Sequence, residues 1–358
     1  MYSCSRIARG VSRHGPMTKC ALKTATTTST STTAAGASIP MWTQQHATIH
    51  TSGNRPANPV TPKPMNPDPR ENPMVGIAPN KDVNVAQRRI ADFNLTGRVF
   101  VITGGGRGLG LSLAEGLAEA GGYVYCLDRN NKVDRRWEEA ARRATEWGGQ
   151  LHYRQQDVQD AAGLDRTIGT IADTHKRLDG LVAAAGVQQI TPALEYRQED
   201  AARMLDINYT GVFMAATAAA RQMNKYKCRG SMCFIASMSG SVANKGLLSP
   251  VYNSSKAAVI QLARNLAMEW SPINKLDGTG GIRVNCISPG HIITPMVEKN
   301  FEEVPGLREK WEAENMMGRL AEPHEFKGAC LYLLSNASSF MVSPPPPCCS
   351  PPLPLFLS

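Results

Sequence analysis

Several features that would assign a chain to a particular class are missing from this sequence. It contains no run of 18 or more apolar residues, so no membrane-spanning helix is expected. Its nine cysteines form no Cys-x-x-Cys pair and no Cys/His spacing of a zinc site, so neither a bound metal nor a disulfide scaffold is expected. Acidic residues are absent from residues 1–67, although they are frequent in the rest of the chain.

This absence of acid concentrates the positive charge at the N-terminal end. Residues 1–67 hold seven Lys and Arg, and removing these from the net charge of +9 leaves +2 for residues 68–358. The remainder of the chain therefore has no basic footprint of the kind that binds nucleic acid. We expect no nucleic-acid partner and no membrane partner.

The first residues have the composition of a mitochondrial transit peptide, which is rich in Arg and Ser and lacks acid. Helical spacing would place Arg6, Arg9 and Arg13 on one face. We therefore expect residues 1–67 to be a disordered targeting leader that ends in a Pro-rich linker, and residues 68–91 to continue that linker. The alternative is an untargeted leader on a cytoplasmic protein.

Residues 92–340 alternate between strand-like and helix-like segments. Short apolar runs rich in β-formers cover residues 98–103, 123–127, 151–155, 181–186, 231–237 and 282–288. Helical spacing covers residues 109–120, 134–147, 160–176, 198–224, 251–271 and 321–335. This alternation predicts one α/β domain, a doubly wound parallel sheet of the Rossmann type with helices on both faces. Ligands of such sheets bind at the carboxyl ends of the strands.

A glycine-rich loop joins the first predicted strand to the first predicted helix. Gly104, Gly108 and Gly110 would let the backbone approach a pyrophosphate, whose charge the helix N-terminus favours. Asp128 ends the second strand-like run, where an acid can bond the ribose 2′-hydroxyl, so NAD is predicted. Arg107 favours the alternative, NADP, because a guanidinium can hold a 2′-phosphate. The competing interpretations are a tight structural turn for the glycines and a solvated strand-end acid for Asp128.

Tyr252 and Lys256 are four positions apart in SPVYNSSKAAV, on one face of a predicted helix. An ammonium about 4 Å from a phenolate contributes roughly 4 kcal/mol at an effective dielectric near 20. That would lower the tyrosine pKa by about two to three units before desolvation. A surface pair without function is the alternative. Ser237 and Ser239 end the fifth strand-like run, where a hydroxyl can bond a substrate carbonyl or alcohol.

Two further segments contain candidate site residues. Asn208, in MLDINYTGVF, can hold a water that connects the lysine to solvent, or it can be a satisfied core amide. NCISPGHIITPM follows the sixth strand-like run with a Pro289-Gly290 turn. Beyond that turn, the backbone of Ile292 and the hydroxyl of Thr294 can orient a carboxamide.

The candidate motifs follow one another along the chain in the order TGGGRGLG, AAAG, Asn208, Ser237, Tyr252-x-x-x-Lys256 and SPG…TP. This order resembles that of the short-chain dehydrogenase/reductase family. The resemblance covers about residues 93–340. FIASMSG and VYNSSKAAVIQLARNLAMEW look most similar to its fungal polyol branch, the mannitol, sorbose and D-arabinitol dehydrogenases. The resemblance implies a catalytic tetrad in which Tyr252 is the acid and base, Lys256 tunes its pKa and anchors the ribose, Ser237 positions the substrate and Asn208 is the relay.

The resemblance also extends the set of expected dinucleotide contacts. That set is Gly104, Arg107, Gly108, Leu109, Gly110, Asp128, Asp157, Val158, Ala185, Gly186, Tyr252, Lys256, Pro289, Gly290, Ile292 and Thr294. Ser237 is preferred to Ser239 because Gly240 follows it at the family's spacing. Ala183 and Ala184 depart from the family, which often carries asparagines there.

The expected function is NAD(H)-dependent interconversion of a secondary alcohol, a sugar alcohol such as D-arabinitol, and its ketone. The alternatives are a 3-oxoacyl thioester reductase of the same family and a truncated, non-catalytic nucleotide-binding form. Gln188, Gln189 and His291 favour a hydroxylated small-molecule substrate, although His291 is equally interpreted as an exposed turn residue. The resemblance implies a homo-oligomer.

The C-terminal residues depart from the family. There the family continues with a threonine-glycine turn and a last strand, whereas this chain reads VSPPPPCCSPPLPLFLS. Prolines lack the N–H that a strand ladder requires. We therefore expect six strands instead of seven, a disordered or loosely packed tail over residues 341–358, and impaired oligomerisation.

Overall fold

The computed structural model of this chain describes residues 91–133, 135–244 and 247–343. The predicted targeting leader, the predicted linker up to residue 90 and the tail from residue 344 onwards lie outside the described residues. Among the described residues, no helix has the length and apolar character needed to cross a membrane.

Parallel strands form a single sheet in the described part of the chain. They are β1 Val99–Thr103, β2 Tyr123–Asp128, β3 Gln150–Gln155, β4 Gly180–Ala183, β5 Ser231–Ile235 and β6 Arg283–Ile287. Their order is β3-β2-β1-β4-β5-β6, and every neighbouring pair is parallel. The strand order reverses between β1 and β4, which opens a crevice at the carboxyl ends of these strands. The predicted doubly wound sheet is confirmed.

Helices cover both faces of the sheet. Those of the described residues are α1 Gly108–Glu119, α2 Arg135–Glu146, α3 Ala161–His175, α4 Gln198–Leu205, α5 Gly211–Lys225, α6 Pro250–Trp270, α7 Pro295–Glu303, α8 Leu307–Glu314 and α9 Lys327–Leu334. The single helix predicted over residues 198–224 is interrupted by a π-helical turn at Asp206–Thr210. The sequence pattern does not reveal α7 and α8, because these short helices are rich in charged residues and are separated by Pro305-Gly306.

The core consists of two apolar layers, one on each face of the sheet. Side chains alternate along β1, so Val99 and Val101 pack into one layer while Phe100 and Ile102 pack into the other. All five residues of β1 are buried, as expected for the central strand of a parallel sheet. The first layer includes residues of α3, α5 and α6, and the second includes residues of α1, α2 and α9.

The outer edge of β6 receives only the beginning of the C-terminal segment. The Ser343 N–H donates to the Val284 carbonyl oxygen at 3.3 Å, and the Asn285 side chain donates to the Met341 carbonyl at 2.9 Å. Within the described residues no other segment pairs with this edge. The expectation of six strands agrees with the described part of the chain.

Candidate active site

A cleft of about 530 Å³ lies at the carboxyl ends of the strands. Every residue predicted to contact the dinucleotide lines this cleft, and so does Ser237. Asn208 is buried behind it and is the one predicted site residue outside the lining. The cleft also includes residues that no sequence motif predicted, among them Arg129, Asn244 and Trp311.

The glycine loop fits a pyrophosphate because two of its glycines leave no room for a side chain. Gly104 has a φ of +69°, and a Cβ atom there would lie 2.8 Å from the backbone of Ala185. A Cβ atom on Gly110 would collide with the carbonyl oxygen of Gly104. Helix α1 begins at Gly108, so its unpaired N–H groups and the positive end of its dipole are beside the loop. These features provide the close backbone approach and the positive potential that a dinucleotide diphosphate needs.

The loop is connected to Asp128 at the end of β2. The Asp128 carboxylate accepts hydrogen bonds from the backbone N–H groups of Gly106 at 3.1 Å and Asn130 at 3.3 Å. These bonds fix the carboxylate in the lining of the cleft, beside Arg129. Arg107 lines the same region and is exposed. An acid and two guanidinium groups are therefore present where an adenine ribose would bind.

Helix α6 positions the tyrosine and the lysine. Its first turn begins with Pro250, which is favoured there because a first-turn N–H has no partner in the helix. Lys256 is only 5% exposed, and its Nζ donates to the carbonyl oxygen of Ile235 at 2.8 Å. Burial lowers the pKa of Lys256 to about 8. The Nζ atom lies 5.7 Å from the centroid of the Tyr252 ring.

The tyrosine pKa differs from the expectation. Burial raises the pKa of the Tyr252 phenol above its ordinary value, while a hydrogen bond with Ser237 acts in the opposite direction. Desolvation of the phenolate outweighs the lowering by Ser237, and the lowering by Lys256, which was expected before desolvation, stays a prediction. The ammonium group is instead held by the Ile235 carbonyl.

The two serines at the end of β5 differ in their partners. The Ser237 Oγ accepts a hydrogen bond from the Ser239 N–H at 3.2 Å and also interacts with the Tyr252 hydroxyl. The Ser239 Oγ is held at 2.6 Å by the side-chain amide of Asn244. Ser237 is therefore the serine beside the tyrosine, consistent with its preferred assignment as the substrate-positioning residue.

Asn208 lies in the π-helical turn, a local irregularity that often occurs at functional sites. Its Oδ1 accepts from the Val187 N–H at 2.8 Å, and its Nδ2 donates to the Val187 carbonyl at 2.9 Å and to the Ser255 Oγ at 3.0 Å. Both amide donors are thus used, which matches the alternative of a satisfied core amide. The side chain holds the segment after β4 against the site, and a water relay stays a prediction.

The loop after β6 is fixed by backbone hydrogen bonds. The Pro289 carbonyl accepts from the Met238 N–H at 2.9 Å. Ala321 donates to the His291 carbonyl at 3.0 Å, and its own carbonyl accepts from Ile293 at 2.8 Å. His291 is partly buried and lines the cleft, so its interpretation as an exposed turn residue is wrong.

Helices α7 and α8 contribute to the wall of the cleft. The Thr294 hydroxyl accepts from the Val297 N–H at 3.4 Å and so caps α7. Trp311 of α8 is buried with Leu247 and Leu320 in a small apolar cluster separate from the two main layers. Because these side chains are far apart in sequence, no local pattern could have identified their contact.

Comparison with known proteins supports the resemblance to the short-chain dehydrogenase/reductase family. The family model described as enoyl-(acyl carrier protein) reductase matches residues 104–343. The short-chain dehydrogenase/reductase notP′ of Aspergillus versicolor is 39% identical over 251 residues, 70% of this chain and 85% of that protein. The ribulose-forming D-arabinitol 2-dehydrogenase of Candida albicans (strain WO-1) is 34% identical over 263 residues, 70% of this chain and 90% of that protein.

A solved structure shows the same fold. The NADPH-dependent 3-quinuclidinone reductase of Rhodotorula rubra matches with a TM-score of 0.60 at 32% identity, covering 70% of this chain and 89% of that one. The resemblance to fungal polyol dehydrogenases is confirmed by the curated relatives. This chain therefore belongs to the short-chain dehydrogenase/reductase family and is an NAD(P)-dependent alcohol dehydrogenase or ketoreductase of that family.

Proposed function

We propose that this enzyme interconverts a sugar alcohol and its ketose with NAD(H). The observation that carries the proposal is the grouping of Ser237, Tyr252 and Lys256 in one cleft with the glycine loop. The relative from Candida albicans is named for its action on D-arabinitol, which supports a polyol substrate here. Polar side chains in the lining, including Gln188 and Asn244, suit a substrate with several hydroxyls.

The chain's own residues would bind the dinucleotide, position the substrate and move a proton. The glycine loop and the N-terminus of α1 would hold the diphosphate, and Asp128 a ribose. A bound nicotinamide would supply the hydride chemistry, which is acceptance of a hydride from the alcohol carbon or donation of a hydride to the ketone carbon. Ser237 would hold the substrate oxygen by a hydrogen bond. Tyr252 would take the hydroxyl proton during oxidation and return it to the oxygen during reduction.

Lys256 would act through charge and position. Its pKa of about 8 leaves it mostly protonated at neutral pH, so a positive charge stands near the phenol that must ionise. The hydrogen bond to Ile235 fixes that charge at the end of β5. Asn208 would keep the neighbouring segment in place through Val187.

The preference for NAD rests on Asp128, whose carboxylate would repel a 2′-phosphate. The alternative, NADP, is favoured by Arg107 and Arg129 and by the NADPH-dependent relative. We favour NAD because the Asp128 carboxylate is fixed by two backbone hydrogen bonds. Both arginines are exposed.

A second candidate is reduction of a 3-oxoacyl thioester. The matching family description names an acyl carrier protein substrate, and Leu247, Met296 and Val297 add apolar surface to the cleft. A non-catalytic nucleotide-binding form is disfavoured, because Ser237, Tyr252 and Lys256 are all present in the site.

The deciding experiment measures NAD(H)-linked turnover of the full chain over a panel of pentitols, hexitols, ketoses and 3-oxoacyl thioesters. We expect turnover of at least one polyol and of the matching ketose, with thioesters at least about tenfold slower in kcat/KM. Turnover of thioesters without turnover of any polyol or ketose would contradict the proposal.

A further inference from the structure

The imidazole of His291 is stacked on the indole of Trp311 in the wall of the cleft. The two ring centroids are 3.6 Å apart and the planes differ by 9°. Both residues line the cleft that also contains Tyr252 and Ser237. A histidine in the active-site wall is therefore held in one ring orientation.

Both ends of this stack are anchored. Trp311 is 3% exposed, packs in the cluster with Leu247 and Leu320, and meets the Phe301 ring edge-on at 5.7 Å. The backbone carbonyl of His291 is fixed by its hydrogen bond from Ala321. The imidazole thus has little freedom to turn away from the cleft. A ligand that hydrogen-bonds this ring therefore does not have to order it on binding.

The ring nitrogens of His291 have no hydrogen-bond partner among the described residues. Burial lowers the pKa of His291 to about 4, so the ring is neutral at physiological pH. A neutral imidazole offers one N–H donor and one nitrogen acceptor. A hydroxyl group is also both a donor and an acceptor, so the two are complementary.

A second polar group in the lining is arranged similarly. The Gln188 Oε1 accepts a hydrogen bond from the Asn300 side chain at 2.9 Å. This bond fixes the carboxamide and leaves its Nε2 without a partner among the described residues. Asn300 belongs to α7 and Gln188 follows β4, so the bond also ties that helix to the sheet. His291 and Gln188 therefore offer fixed, unused hydrogen-bonding groups on the substrate side.

We propose that His291, held against Trp311, determines specificity for hydroxylated substrates by hydrogen-bonding a hydroxyl beyond the reacting carbon. This inference rests on the proposed function and deepens it, because it assigns the choice between a polyol and a plain alcohol to one side chain. Trp311 acts as the positioning residue for the imidazole. Gln188 provides a second donor to the same class of substrate.

The test compares wild type with His291→Phe, which keeps an aromatic ring for stacking and removes both nitrogens. The substrates are D-arabinitol and 2-pentanol, which share a five-carbon chain and a secondary alcohol; D-mannitol and 2-hexanol replace them if a hexitol is preferred. We expect the ratio of kcat/KM for polyol to that for plain alcohol to fall by about 10–100-fold. The loss should appear mainly in KM for the polyol.

Two further variants separate recognition from structural damage. His291→Gln, which restores a donor and an acceptor, should recover at least part of the polyol KM. His152→Phe is the matched control, because His152 stacks on Tyr125 at 4.6 Å but does not line the cleft. It should leave the substrate ratio unchanged.

The outcomes distinguish this inference from the function on which it rests. Wild type without turnover of any polyol or ketose would reject the proposed function. Turnover of the polyol by His291→Phe with an unchanged KM, or an equal loss with both alcohols, would overturn the role of His291 alone. Thermal melting of each variant shows whether a loss of activity comes from unfolding. If His291→Phe does not fold, the polyol KM of His291→Gln decides the role of His291.

Discussion

The Lys256 ammonium lies 5.7 Å from the centroid of the Tyr252 ring, and its hydrogen bond goes to the Ile235 carbonyl. The lysine thus brings a buried positive charge close to the phenol without depending on the phenol for its own partner. Burial opposes ionisation of both groups, since it lowers the pKa of Lys256 and raises that of Tyr252. The site therefore combines two desolvated groups whose charged forms would stabilise each other.

Removal of the tyrosine hydroxyl should nearly abolish turnover without preventing folding. We expect Tyr252→Phe to lower kcat by about 10²–10⁴-fold, the usual contribution of a general acid or base. NADH binding, followed by fluorescence, should persist. Tyr226→Phe is the control, because it removes a hydroxyl bonded to Asp173 outside the cleft lining and should retain activity. A Tyr252→Phe enzyme with more than about a tenth of the wild-type kcat would argue against the acid/base role.

Replacement of the buried lysine should lower the activity and raise the stability of the protein. Lys256→Met removes a charge whose pKa the fold lowers to about 8, so we expect slower turnover but a free energy of unfolding higher by about 1–3 kcal/mol at pH 7. The free-energy cost of burying the charged Lys256 is fully present below its folded pKa. This cost disappears as the pH rises towards the pKa of an unfolded lysine, near 10.4. Wild type should therefore approach the variant in stability between about pH 8 and pH 10.

Denaturant unfolding at several pH values measures this difference. Lys275→Met is the control, because Lys275 is exposed and its replacement should change stability little at any pH. A Lys256→Met protein that is less stable than wild type at pH 7 would show that the bond to Ile235 outweighs the buried charge.

Asp128 should set the cofactor preference. We expect wild type to favour NAD over NADP in kcat/KM, and Asp128→Ala to reduce that preference by about 10–100-fold because the like charge facing a 2′-phosphate is gone. Asp128→Asn keeps a hydrogen-bonding group but removes the charge, so it separates repulsion from ribose binding. A native preference for NADP would reverse the assignment and give Arg107 and Arg129 the leading role.

The sequence predicted the sheet well because each strand is a short apolar run bounded by turns, and the glycine loop because strand and helix flank it. It predicted that Ser237, Tyr252 and Lys256 meet because strand ends and helix starts converge at one edge of a parallel sheet. It did not predict the π-helical turn that contains Asn208, nor the hydrogen bonds of that side chain to Val187, a residue 21 positions away in the chain. Nor did it predict the contact of His291 with Trp311, which depends on the path of two short helices.

Two glycines with similar backbone angles allow a test of the loop. Gly104 and Gly97 have φ of +69° and +75°, but a Cβ atom would collide with Ala185 only at Gly104, and Gly97 has open space within 4 Å. Alanine at Gly97 should cost about 1–2 kcal/mol from the backbone angle alone. Gly104→Ala should cost more and should weaken NADH binding at least about tenfold. Equal effects on binding would contradict the assignment of the loop to the cofactor.

The last prediction concerns the open edge of β6. The Ser343 N–H makes the first bond of a possible ladder to Val284, while Phe340 is 98% exposed beside it. Unpaired backbone groups at a sheet edge favour association with other chains. We therefore expect a variant in which a β-forming segment replaces residues 344–358 to gain stability and to aggregate less.

Thermal melting and light scattering of the two forms test this expectation. Each kcal/mol gained should raise Tm by about 2–4 °C in a domain of this size. The control carries a Pro-rich segment of the same length and different order, which cannot donate a continuous ladder of N–H groups. Since the control shares the length but not the donors, a rise in Tm confined to the β-forming version would assign the gain to pairing along β6. An equal Tm for all three forms would show that the residues up to Ser343 already protect this edge.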